Sequence, residues 1–220
     1  MGRVEERGPH LRQRGAQGIQ RAAATTALLS IALALVLSVL QLGTMAAIGA
    51  DYPPEQVFRD TVLKVPWAVI VCVSLYLAIA LAGERTHLVA LVALVAAPTA
   101  SLLARGTAEL AHAYTAAAAP ASDVSPLLVA GIKGLEYAAL ALTVTWLGRR
   151  PWSAAMHHAV AGLLAGLVFG GALLLLTLRL TEVPLTAGAG TAWAVNEVLF
   201  PIGCALILSR EAGAPRITIR

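Results

Sequence analysis

Charge is scarce in this chain. Only 13% of its 220 residues are Asp, Glu, Lys or Arg, about half the share usual in soluble domains. Aromatic residues make up 5%, and there are two cysteines. Two Cys cannot build a disulfide scaffold, and no Cys/His spacing resembles a zinc finger. Gly-x-Ser-x-Gly is missing, which excludes the usual serine nucleophile elbow. Without His-Glu-x-x-His there is no ordinary zinc protease, and without a phosphate-cradling loop the chain alone binds no ATP. No repeat of 20–50 residues recurs, which excludes a solenoid and gives an inverted-repeat transporter no support.

What the chain does have is apolar surface. The hydrophobic set is 58% of the residues, and mean hydropathy is +0.77. Counting Gly and leaving out Tyr raises the apolar share to about 65%, against roughly 45–50% in globular domains. A soluble domain of this size cannot hide that much, and a disordered chain shows the opposite balance.

A membrane-crossing helix needs about 20 apolar residues. Six windows qualify: residues 24–48, 66–82, 87–104, 126–147, 155–178 and 191–209. Charge, Pro or Gly bounds each of them, as in Asp51-Tyr52-Pro53-Pro54 and Gly148-Arg149-Arg150-Pro151. The sequence thus predicts an all-α integral membrane bundle of six transmembrane helices. A basic segment (residues 1–23) precedes the membrane domain (24–209), and a short tail (210–220) follows it.

Lys and Arg set the orientation. With the N-terminus inside, eleven arginines are cytoplasmic: Arg3, Arg7, Arg12, Arg14, Arg21, Arg85, Arg149, Arg150, Arg210, Arg216 and Arg220. Arg59, Lys64, Arg105 and Arg179 fall outside, and Lys133 lies within a span. Both termini are therefore expected in the cytoplasm, with the longer loops outside. The net charge of +4 reads as a topology signal facing an anionic inner leaflet, not as a nucleic-acid footprint. A multi-pass protein of a bacterial plasma membrane is the localisation this pattern predicts. A cleavable signal ending near Ala47-Ile48-Gly49 is the competing reading of the first span, but the apolar run is about twice a signal core.

The few polar groups at depth are the candidate site, because ionisable side chains in a bilayer are costly and face a cavity or a partner. The fourth span holds Lys133 and Glu136 three residues apart, with Tyr137 on the same face. By helix rise they lie about 10 and 15 Å in from the outer end. The sixth span supplies Asn196 and Glu197, about 8–9 Å in. Pro201 follows and frees the carbonyl of Glu197. One polar pocket could collect all five residues. It would serve either as a structural ion pair or as a site for a cation, a proton or a polar solute. A catalytic acid pair is the third option.

Other clusters carry less chemistry. Gly162, Gly166 and Gly170 form a small-residue stripe on the fifth span, suited to close packing within the chain or to a homodimer. Arg105, Glu109 and His112 align on a helical extension of the third span, read as a solvated charged face. The only other Glu-x-x-His, Glu84 to His87, lies on the opposite side, so no di-iron site and no other metal is expected. His87, His157 and His158 share the cytoplasmic level and read as interfacial, so no haem or other cofactor is expected. Residues 116–120, Ala/Pro-rich, suggest a hinge or helix end. Cys72 and Cys204 are expected about 9 and 20 Å deep, too far apart in height for a disulfide.

The segments Pro126-Leu127-Leu128-Val129-Ala130-Gly131-Ile132-Lys133-Gly134 and 161–169 resemble part of the PrsW-type glutamic intramembrane proteases. In that family one span carries Glu-Glu-x-x-Lys and a following Gly-rich span carries Phe-x-x-x-Glu. Lys133 matches the Lys and Phe169 the Phe. Val129 and Ala130 stand where the paired glutamates would be, Leu173 where the third acid would be, and Asn196 near the place of a late His. The resemblance spans about a quarter of the chain. It implies a similar helix arrangement without the family's chemistry, hence a non-proteolytic relative, unless Glu136 and Glu197 have taken over as the acid pair. Two functions follow as expectations. One is a non-catalytic membrane component, such as an accessory subunit or a small-solute or ion binding unit. The other is a divergent intramembrane hydrolase.

Overall fold

The structure, a computed structural model, describes residues 8–82, 85–115, 125–180 and 187–212. Side chains 8–16, 105, 107–115, 187, 189 and 211–212 are excepted. It is helical throughout, with no strand among the described residues. The helices are α1 (Gly8–Ala47), α2 (Pro54–Ala82), α3 (Thr86–Thr115) and α4 (Pro126–Leu147). The fifth span joins α5 (Ala155–Ala165) to α6 (Gly171–Leu180) through a π-helical turn, Gly166–Gly170. The sixth joins α7 (Ala187–Ala194) to α8 (Phe200–Ala212) through a second π turn, Val195–Leu199. Among the described residues, six helical segments are long and apolar enough to cross a membrane.

Local chemistry explains the helix ends. Gly49 sits at φ +65°, a left-handed conformation that costs glycine little. Ala50 N–H donates to the Met45 carbonyl at 3.0 Å and Gly49 N–H to the Ala46 carbonyl at 3.2 Å, the paired bonds of a Schellman stop. Pro54 then opens α2 and Pro126 opens α4, where the missing N–H would have had no helical partner.

Helix boundaries required one substantive correction. The second span starts at Pro54, not at residue 66. Arg59, Asp60 and Lys64, expected in an outer loop, are therefore helical. The helical extension of the third span is present to Thr115. The side chains of Arg105, Glu109 and His112, residue Glu84 and the 116–120 stretch lie outside the described residues.

Packing follows small residues. Val89, Ala93, Ala97 and Ala100 are buried along one face of α3, which packs against α2 and α4. On α4, a side chain at Gly134 would meet Pro98 and the Leu94 carbonyl at 3.0–3.1 Å. Short side chains of this kind let helices approach closely where lipid supplies no hydrophobic drive. α8 is the hub, packing on α1, α2, α4 and α5. The outer faces carry Leu28, Val39, Leu91, Val95, Leu127, Leu164 and Val168, all more than half exposed. Bare leucine and valine over so much surface suits hydrocarbon rather than water.

The cysteines overturn an expectation. Cys72 and Cys204 are fully buried with their sulfurs 3.4 Å apart. The physical reason is that α2 begins twelve residues before residue 66, at Pro54. From Pro54, Cys72 lies about 27 Å along α2 by helix rise, level with Cys204 on α8. Mild oxidation of the purified protein is expected to cross-link α2 to α8 within one chain. Faster gel mobility that disappears in Cys204→Ser checks it.

Candidate functional site

α4 enters the bundle at Pro126 and presents Lys133, Glu136 and Tyr137 to its interior, all buried. The sixth span meets it with a widened backbone. Pro201 has no N–H for the Glu197 carbonyl, and the π turn Val195–Leu199 takes up the mismatch just before it. Such turns are rare and concentrate at functional sites. The fifth span carries its own π turn at the same level, and the two face each other.

These features bring three charged side chains together. Lys133 Nζ donates to Glu136 Oε2 at 2.8 Å and also to Glu197 Oε2. The Glu136 side chain has no exposed surface, whereas that of Glu197 keeps 16%. Glu136 Oε1 is buried without a hydrogen-bond partner. One ammonium thus serves two carboxylates, and the triad carries a formal charge of −1.

Beside the triad lies a cavity of about 260 Å³, walled by Lys133, Tyr137, Asn196 and Glu197 together with Lys64 and Ser101. Leu37, Leu63, Trp67, Val129, Leu173 and Phe200 form its apolar walls. Trp67, Tyr137 and Phe200 make a cluster with ring centroids 5.9–6.5 Å apart, largely edge to face. Four of the five candidate residues line the cavity. Glu136 does not, and is bonded to Lys133, which does. Glu197 is thus the carboxylate on the cavity wall, and Glu136 meets that wall only through its bond to Lys133.

Lys64 and its partners were not foreseen as part of the site. Lys64 Nζ donates to Gln41 Oε1, and Gln41 Nε2 donates to Asp60 Oδ2 at 3.3 Å. Tyr52 donates its hydroxyl to the same oxygen at 2.7 Å, and Arg59 lies 3.7 Å from the other. Gln41 is fully buried in an otherwise apolar run. A buried amide in such a run demands partners, and that was the available signal. The i, i+4 spacing of Asp60 and Lys64 was the second, since it places both on one helix face.

Tyr52, in the connection before α2, gives a pH prediction. Burial, and then the hydrogen bond and charge of Asp60, hold its hydroxyl above the usual tyrosine value. A raised folded-state pKa favours the fold fully below about pH 10 and is lost as pH climbs past it. The late-titrating part of the tyrosinate absorbance is expected to fall by one tyrosine in Tyr52→Phe. Stability should fall less steeply above pH 10 in that variant.

The glycine stripe is spent inside the chain. A Cβ at Gly162 would lie 2.5 Å from the Pro201 carbonyl oxygen, and one at Gly166 equally close to that of Glu197. At Gly170 it would meet Glu197 Cβ at 2.8 Å. The stripe therefore seats the sixth span, and with it Glu197, rather than offering a face to a second copy. The carbonyl that Pro201 leaves free lies where a Cβ on Gly166 would stand.

The histidines at the other end have local duties. His157 Nδ1 accepts the Ala154 N–H at 3.1 Å, capping α5. Its ring meets Trp152 edge-on, with centroids 5.2 Å apart. His158 is buried with Nε2 3.0 Å from Ser153 Oγ, and His87 is exposed. No group of three metal-ligating side chains occurs among the described residues. The chain matches no known protein family, no curated protein and no solved structure.

Proposed function

We propose that this chain is a non-catalytic component of a bacterial plasma membrane that binds a small polar solute or ion. It would act alone or as the accessory subunit of a larger assembly, with both termini in the cytoplasm and the cavity on the outer side. The observation that carries this reading is Lys133 held between Glu136 and Glu197 on the wall of a 260 Å³ cavity. Buried charge of this kind marks a functional site when it faces a cavity rather than a dry interface. The lopsided distribution of Lys and Arg supports the orientation. Against catalysis stands the geometry of the carboxylates. Both are tied to one ammonium, and Glu136 does not line the cavity, so no acid pair faces a common water.

Native mass spectrometry of the chain purified with its own lipids tests the proposal. A bound small polar species is expected in the wild type and should be lost in Glu197→Gln. A wild-type chain with nothing bound overturns the proposal, as does one equally occupied after the substitution.

A second reading has one observation in its favour. Of the positions that the resemblance to PrsW-type proteases would assign to the site, Val129, Lys133, Leu173 and Asn196 line this cavity and Ala130 does not. With Val and Leu in the acid positions, that kinship supports the binding role over a proteolytic one. Cleavage of a transmembrane peptide, abolished by Glu136→Gln, would reverse the preference.

A further inference from the structure

Formal charge is balanced around the cavity as a whole but not within either wall. On the α2 side, Asp60 is paired with Arg59 and acts on Lys64 only from beyond ion-pair distance, so the direct partner of Lys64 is a neutral amide, Gln41 Oε1. No carboxylate comes within ion-pair distance of Lys64 among the described residues. An ammonium can donate three hydrogen bonds, so Lys64 has capacity to spare. On the opposite side the triad of Lys133, Glu136 and Glu197 carries one negative charge in excess. One uncompensated positive charge and one uncompensated negative charge therefore face a shared space. Each is costly at membrane depth without a partner.

The aromatic cluster adds a second, independent feature. Trp67, Tyr137 and Phe200 line the same cavity as Glu197. Lys133 Nζ already lies 6.0 Å from the Tyr137 ring centroid, within the range in which a ring face attracts a cation. A carboxylate next to several aromatic rings is the chemistry that recognises an ammonium group. The remaining walls, Leu37, Leu63, Val129 and Leu173, are apolar. The volume falls below the roughly 300–1,000 Å³ of sites for drug-sized ligands.

Resting on the reading of this cavity as a solute site, we infer that its ligand is a compact zwitterion with an apolar body. Its anionic group lies on Lys64, and its ammonium lies between Glu197 and the rings of Trp67, Tyr137 and Phe200. Such a ligand neutralises both walls at once. A simple cation satisfies only the triad, and a simple anion satisfies only Lys64.

Matched probes test this on the intact purified chain in lipid nanodiscs at pH 7, by calorimetry. Leucine and trimethylglycine are the zwitterions. 4-Methylpentanoate is leucine without its ammonium, and 3-methylbutylamine is leucine without its carboxylate. At least one zwitterion is expected to bind, with leucine at least tenfold tighter than either of its halves. Lys64→Met should abolish that preference over the amine, and Glu197→Gln the preference over the carboxylate. If either half binds as tightly as leucine, the zwitterion assignment is overturned. Failure of both zwitterions to bind at millimolar concentration also overturns it. Both overturning outcomes are read on the wild-type chain, so a variant that does not fold leaves the test intact. Whether the cavity holds any solute is read separately from the native mass spectrum, which depends on none of these probes.

Discussion

Lys133→Met is expected to destabilise the bundle by about 3–5 kcal/mol, the range for removing one partner from a buried ion pair. Methionine fills nearly the same volume, so lost packing contributes little. The loss is electrostatic. Lys133 is the only ionic partner of both Glu136 and Glu197 among the described residues. Removing it leaves Glu136, whose side chain has no exposed surface, with neither oxygen bonded, since Oε1 already lacks a partner. Glu197 fares better because part of its side chain faces the cavity. The asymmetry yields a second expectation. Adding Glu136→Gln to Lys133→Met should recover more than half the loss, because a neutral amide needs no countercharge. Adding Glu197→Gln should recover less. Reversible unfolding in a mixed-micelle denaturant series checks both. A Lys133→Met chain as stable as the wild type would mean that water hydrates the triad and that the pair holds nothing together.

How far the sequence reveals this site depends on which residues one asks about. Six apolar windows were visible because hydropathy reports lipid-facing and buried residues alike, and Pro126 and Gly148 bracket α4 in plain view. The start of α2 was hidden for the same reason. Glu55, Arg59, Asp60 and Lys64 lower local hydropathy, and only tertiary contacts show that Asp60 and Lys64 bond to Tyr52 and Gln41 inside the protein. That single misplacement produced two further errors, a cysteine pair judged to be at different heights and a cavity lysine assigned to a loop. Lys133 and Glu136 were readable as neighbours because helix geometry fixes i, i+3 pairs. The bond from Lys133 to Glu197 joins residues 64 apart, and no periodicity encodes it. The glycine stripe announced close packing without naming the partner, since small residues suit any backbone that approaches.

Gly166→Ala is expected to cost about 1–3 kcal/mol, the range for an added methyl in a packed interior, and to weaken solute binding at the same time. The new Cβ would stand 2.5 Å from the Glu197 carbonyl oxygen and 2.9 Å from Val198 Cα. Both are backbone atoms, so no rotamer change relieves the clash and the sixth span must move. Glu197 moves with it, which lengthens its bond to Lys133 and shifts the carboxylate on the cavity wall. Gly162→Ala meets the Pro201 carbonyl at 2.5 Å and Ile202 Cα at 2.6 Å, four residues nearer the α5 end. It should cost as much stability with a smaller effect on binding, because Pro201 and Ile202 do not line the cavity. Gly131→Ala and Gly171→Ala are the controls. A Cβ there meets nothing within 4 Å, so each should be neutral or stabilising by up to about 1 kcal/mol. Combining Gly162→Ala with Gly166→Ala separates a rigid interface from a soft one. A single outward shift of the sixth span relieves both clashes, so the double variant should lose less than the sum of the two. Full additivity in unfolding experiments would instead require two independent local distortions of the sixth span, and Glu197 would then keep its place in the Gly162→Ala protein.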